Sequence, residues 1–190
     1  MDCRQGTQEK MGTYKQILDA GLTRIALIVL LVACYLVGAP AWLAVPSAKS
    51  ALVHPFFHAN IFHLAVNCWS CWLLFRPKGR NASLAGICFG YIAAVAAYLL
   101  AIPLLSRAPI GFSNVLMAVC GLSVKDYAPG WWKRQWFISI VAVNLVMLLT
   151  PAMAALTHLF SFAIGLAAGQ AVGIYRQTTK DYARVSGHNR

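Results

Sequence analysis

The sequence predicts an all-α polytopic membrane protein with six membrane segments, one of them too short to cross a bilayer. Three observations carry this reading. The 190-residue chain is 59% hydrophobic and only 11% charged, against about 25% charged residues in an ordinary soluble domain. It breaks into apolar runs of near-spanning length, and its basic residues fall in short clusters between those runs. A net charge of +11 would suit nucleic acid, but clusters at the ends of apolar runs, with no aromatic-interleaved basic patch, describe membrane topology instead.

Taken in order, residues 1–21 are polar, with Arg4, Lys10 and Lys15, and read as a cytoplasmic segment. The first apolar run, about Arg24 to Val45, is too long for a signal-peptide core and lacks a cleavage site, so it stays as a helix. Phe57 to Phe75, Leu84 to Leu105, the short Ser113 to Val124, Trp132 to Leu149, and Ala152 to Tyr175 complete a membrane domain over residues 22–175. Residues 176–190 form a basic cytoplasmic tail placed to meet anionic lipid. Six Cys are scattered along the chain, five of them in apolar runs, and imply no disulfide framework.

Counting alternate connections as one side puts fourteen of the sixteen Lys and Arg together and leaves Lys49 and Arg107 opposite. Both termini are then cytoplasmic by the positive-inside rule. Trp131, Trp132 and Trp136 belt the cytoplasmic start of the fifth segment, and Trp42 marks the outer end of the first. This orientation sets depth. A helix from Ser113 to Lys125 is only about 20 Å long, against a hydrocarbon core of about 30 Å, so its start lies below the outer surface. A dipping connection, Pro103 to Phe112, has to reach it. His158 lies about 9 Å into the sixth segment, and His63 and Asn67 enter from outside on the second at comparable depth.

Gly111 allows a tight entry into the short helix, and the free N–H groups of its first turn, at the positive end of the dipole, suit developing negative charge beside Ser113. Ser113 is therefore a candidate nucleophile; the plainer alternative is a helix cap. A His inside a membrane segment needs a partner, and for His158 the candidate is Ser113. From His158 onward Ser161, Gly165, Gly169 and Gly173 form a small-residue stripe, and Ala118 and Gly121 are small on the short segment, so the two backbones can approach closely. A Ser-to-His hydrogen bond there would activate the hydroxyl; ordinary helix packing, with His158 bonded to a carbonyl, is the other reading. His63 and Asn67, four apart, share a helix face and can aim two donors at one point, as an oxyanion hole requires.

His54 and His58 are also four apart, but Pro55 argues against helix, and both read as part of the entry turn, with His58 a structural hydrogen-bond partner. Metal ligation is a weaker reading, because no membrane segment holds a carboxylate and there is no His-Glu-x-x-His. All five acidic residues, Asp2, Glu9, Asp19, Asp126 and Asp181, lie in the flanks. No Asp or Glu can orient His158, so the unit would be a dyad rather than a triad. Cys68-Trp69-Ser70-Cys71 has a redox spacing, but without a thioredoxin-like strand pattern its thiols read as small apolar fillers.

These residues resemble the rhomboid family of intramembrane serine proteases. The likeness covers about His54 to Gly173 and rests on the spaced His54, His58, His63 and Asn67, on Gly111-Phe112-Ser113, and on His158 with its stripe. It implies a six-helix rhomboid-like bundle with a short buried fourth helix and a water-filled outer cavity. It implies Ser113 as nucleophile, His158 as general base, and His63, Asn67 and the Ser113 N–H as the oxyanion hole, with His58 in support. It implies transmembrane-helix substrates cut near the outer face of the bilayer, no cofactor, and no nucleic-acid partner. The fifth helix and the loop near Pro151 and Met153 resemble the family's lateral gate and cap. The expected location is the plasma (inner) membrane of a bacterium. A catalytically inactive relative that binds transmembrane helices is the alternative. Several positions depart from the family's pattern. Asn114 follows the Ser where Gly is usual, and its side chain would crowd the oxyanion hole or add a donor to it. Met117 replaces an aromatic ring, Ser161 replaces a Gly, Lys49-Ser50 replaces a Trp-Arg pair, and the first outer loop, about Pro46 to Val53, is short.

Overall fold

The computed structural model describes residues 21–74, 84–124 and 154–187. Within them every regular element is helical. The expected fifth segment, with the gate and cap positions, lies outside the described residues. So do the two polar ends of the chain as far as residue 20 and from residue 188.

Helix α1 (Gly21–Val37) stops eight residues short of the expected Val45. Gly38 takes a positive φ of 83° and Pro40 follows, a combination that ends a helix. The chain then makes a 3-10 turn, Ala41–Ala44. The short loop expected on the outer side is itself folded: α2 (Ala48–Val53) starts from a reciprocal capping box in which Ser47 accepts from the Ser50 N–H and Ser50 Oγ accepts from the Ser47 N–H. Pro55 sits in the 3-10 turn His54–Phe56 that follows, as its missing N–H and fixed φ favour. Helix α3 (Ile61–Leu74) begins four residues later than the expected Phe57.

Helix α4 (Leu84–Ala101) is Ala- and Gly-rich along one face. Gly86, Gly90, Ala93, Ala94, Ala97, Tyr98 and Ala101 are buried at helical spacing, while Ile92, Leu99 and Leu100 face outward. α4 with its following turn (Leu84–Leu104) and Ala155–Tyr175 are the two described stretches long and apolar enough to span a bilayer. Helix α5 (Ser113–Ser123) has 11 residues, about 17 Å, and buries most of them, including Asn114, Val115, Ala118 and Val119. A helix buried on nearly all sides belongs at the centre of a bundle, and α3, α4 and the last helix pack around it. That last helix, α6 (Ala154–Gly187), has 34 residues, about 51 Å, so it continues well beyond the length that a bilayer requires.

The α5–α6 contact is backbone to backbone. A Cβ on Gly121 would strike the Phe162 carbonyl oxygen, one on Gly165 would strike the Ala118 carbonyl oxygen, and one on Gly169 would come within 2.6 Å of the Leu122 carbonyl oxygen. Side chains are excluded from this seam, so the helices meet at the short distance that small residues permit. Gly165→Ala is expected to destabilise the bundle by about 1–3 kcal/mol through overpacking. Thermal unfolding in detergent micelles measures this, with Gly21→Ala, where nothing lies within 4 Å, as the tolerated control.

Candidate active site

The turn before α5 is where the buried polar groups of three helices converge. Gly111 has φ 134°, a region closed to side-chain-bearing residues. The His63 imidazole also lies close against it: a Cβ on Gly111 would strike His63 Cε1 and come within 2.7 Å of Nε2. Two independent constraints, one of backbone and one of space, thus require glycine there. The expected dipping connection is tied down at both ends. Ala108 N–H donates to the Ala44 carbonyl at 3.1 Å, and Gly111 N–H donates to the His54 carbonyl at 2.9 Å. Phe112 is buried and caps α5 without a side-chain hydrogen bond.

Ser113 stands at the first position of α5, and its Oγ lies 2.7 Å from His158 Nε2 on α6. His158 is 2% exposed. If the Ser113 hydroxyl donates, Nε2 is the unprotonated nitrogen and Nδ1 carries the proton. His158 Nδ1 is buried without a partner among the described residues, and no Asp or Glu occurs from residue 20 to residue 125 to serve it. Ser161 Oγ, one turn further along α6, is likewise buried without a partner among the described residues.

His63 Nε2, beside the Gly111 turn, is buried and unpaired among the described residues. Asn67 is buried one turn on, and its Nδ2 donates to the His63 carbonyl at 3.0 Å. One of its two amide hydrogens is therefore committed to its own helix and the other remains. His58 Nε2 accepts the Phe112 N–H at 3.5 Å, a long contact, and its ring meets that of His63 edge-on at 5.2 Å. Ser113, His158, His63, Gly111 and His58 are thus gathered at one place, with Asn67 a turn below His63.

A model of the rhomboid domain matches residues 46–175. The chain belongs to the rhomboid family. No curated protein matches it. Rhomboids are in general intramembrane serine proteases, and inactive relatives exist. Asn114, Ser50 and Lys49, singled out in the sequence, have defined surroundings. Asn114 Nδ2 donates to His54 Nε2 at 3.0 Å, and its Oδ1 is buried without a partner among the described residues. Ser50 Oγ bonds the Tyr98 hydroxyl at 2.8 Å, and the Lys49 ammonium lies over the Trp42 ring at 4.2 Å.

His54 is the residue that local spacing did not reveal as part of this site. It is fully buried, its Nδ1 donates to the Ala51 carbonyl at 2.8 Å, and its ring stacks on Tyr98 at 4.6 Å. Its partner Asn114 is sixty residues away in the chain, so helical periodicity around His54 carries no trace of the contact. With both nitrogens engaged it is not free to ligate a metal. Cys68 and Cys71 are free thiols, Cys71 fully buried.

His54 lies in the turn outside the spanning helices, where burial pushes its pKa down to about 4 from the usual 6.5. Folding thus disfavours its protonated form. The stability it lends is complete above about pH 6.5 and is lost as pH falls toward 4. His54→Gln, which cannot titrate, should flatten part of the fall in thermal midpoint between those pH values, measured against wild type in the same detergent.

Proposed function

We propose that this rhomboid is an active intramembrane serine endopeptidase using a Ser113–His158 dyad. The observation that carries the reading is the 2.7 Å contact between Ser113 Oγ and His158 Nε2, made across two separate helices in a buried setting. A serine that only caps its helix has no need of an imidazole at that distance.

In the reaction, His158 Nε2 takes the hydroxyl proton as Ser113 Oγ attacks the carbonyl carbon of the scissile peptide bond. The negative charge that develops on the carbonyl oxygen is met by the Ser113 backbone N–H at the start of α5, by His63 Nε2 and by the remaining amide hydrogen of Asn67. As the C–N bond breaks, His158 passes its proton to the departing amine and an acyl-enzyme remains on Ser113. Water, deprotonated by the same imidazole, then releases the acyl group and restores both residues. With no carboxylate at hand, packing and the α5–α6 seam hold the imidazole. Gly111 and His58 shape the turn, and Asn114 supports it.

The substrates are membrane proteins whose transmembrane helix presents a bond near the outer face. The fourteen of sixteen basic residues that fall on one side of the topology support a reading with both termini in the cytoplasm and the site in the outer half of the bilayer, in the plasma (inner) membrane of a bacterium. Residues 22–175 make up the membrane domain, flanked by cytoplasmic segments 1–21 and 176–190.

Labelling of the detergent-solubilised protein by a fluorophosphonate probe tests the dyad without a known substrate. Wild type should label; Ser113→Ala and His158→Ala should not. His63→Ala should retain the site but lower the labelling rate by about a hundredfold, the typical loss for one oxyanion donor. Folded wild type that resists probes of two sizes would instead identify a helix-binding rhomboid without hydrolytic activity.

A further inference from the structure

Ser113 sits at the first position of a helix whose cap residue, Phe112, offers no side-chain hydrogen bond. Its placement is therefore not set locally, yet a misplacement of about 1 Å can cost a hundredfold in rate. Contacts made by His54 bracket the nucleophile from both sides. Its carbonyl accepts the N–H of Gly111, two residues before Ser113, at 2.9 Å. Its Nε2 accepts the side-chain amide of Asn114, one residue after, at 3.0 Å.

The donor and acceptor roles are forced. Nδ1 of His54 faces the Ala51 carbonyl at 2.8 Å and must donate to it, so Nε2 of the neutral ring is a lone pair and can only accept. Asn114 then presents its NH₂ to His54. The ring is immobilised by burial and by Tyr98, stacked at 4.6 Å, whose hydroxyl bonds Ser50 Oγ on α2 at 2.8 Å. A continuous series of contacts, two hydrogen bonds joined by the ring contact of Tyr98 with His54, therefore runs from Ser50 on α2 to the residue beside the nucleophile. A glycine at position 114 would leave Nε2 of His54 without its donor and the turn held on one side only.

We propose that His54 and Asn114 form a positioning pair that holds the Ser113 hydroxyl on His158 Nε2, coupling the folded outer loop to the nucleophile. The pair acts through Ser113 and rests on the dyad reading given above. Neither residue touches the reacting atoms.

The test uses the full chain in detergent and two readouts, the kinetics of fluorophosphonate labelling and the ¹⁵N resonances of the histidine rings. Asn114→Leu removes the amide at similar size, and Asn114→Ala removes it without bulk. His54→Phe keeps a ring against Tyr98 without either nitrogen, and His54→Gln keeps an acceptor. Each of the first three should lower the maximal labelling rate about tenfold, with the half-saturating probe concentration little changed. The Asn114→Leu/His54→Phe double variant should be no slower than the singles, because both remove one interaction. His54→Gln should recover part of the rate. In the spectra, Asn114→Leu should move the resonance of His54 Nε2 and also shift that of His158 Nε2 in the direction seen for Ser113→Ala. Rate losses that multiply in the double variant, or a His158 resonance unmoved by Asn114→Leu, would overturn the pairing. Wild type that does not label would count against the dyad alone, since the His158 resonance still decides whether His54 and Asn114 position Ser113.

Discussion

The close approach of α5 and α6 is the constraint on which the site depends. Gly121, Gly165 and Gly169 leave no room for a Cβ between the two backbones, and in an apolar solvent such packing, rather than hydrophobic burial, is what holds helices together. Only at that separation can a hydroxyl on the first turn of one helix meet an imidazole near the start of the other at 2.7 Å. The same constraint explains why α5 can be short. Buried on most of its surface by α3, α4 and α6, it has little contact with lipid to make and need not span the bilayer.

A second constraint works at the Ser113 end of the bundle. The chain from Leu105 to Phe112 is non-helical, and buried peptide groups in such a segment are costly unless protein or water satisfies them. The Ala108 N–H to Ala44 and Gly111 N–H to His54 bonds meet part of that demand. His54 is central because it serves the turn with its carbonyl and Asn114 with its ring. Asn114 is thereby held beside Ser113 through its contact with His54, while His63 Nε2 has no partner among the described residues.

Several features were legible in the chain alone because they are local or additive. The short apolar run beginning at Ser113, the stripe from Ser161 to Gly173, and the pairing of His63 with Asn67 at four residues apart follow from helical periodicity. Helix α1 ends earlier and α3 begins later than hydropathy alone predicts, since hydropathy does not register the positive φ of Gly38 or the turn at Pro55. Nor does it register the capping box of Ser47 and Ser50 in the short loop between them.

By itself the sequence determined the class of the protein, the short apolar run at its centre, the place of each serine, histidine and asparagine along its own segment, and the lack of any Asp or Glu from residue 20 to residue 125. These are matters of residue type and spacing within single segments. Only the tertiary structure decided that Ser113 meets His158, that His63 lies against Gly111, and that the Asn114 amide meets His54. Each of those contacts joins residues 45 to 60 positions apart. Their geometry is set by how closely helices pack and how a buried ring spends its two nitrogens, and neither is encoded in the periodicity of any one segment.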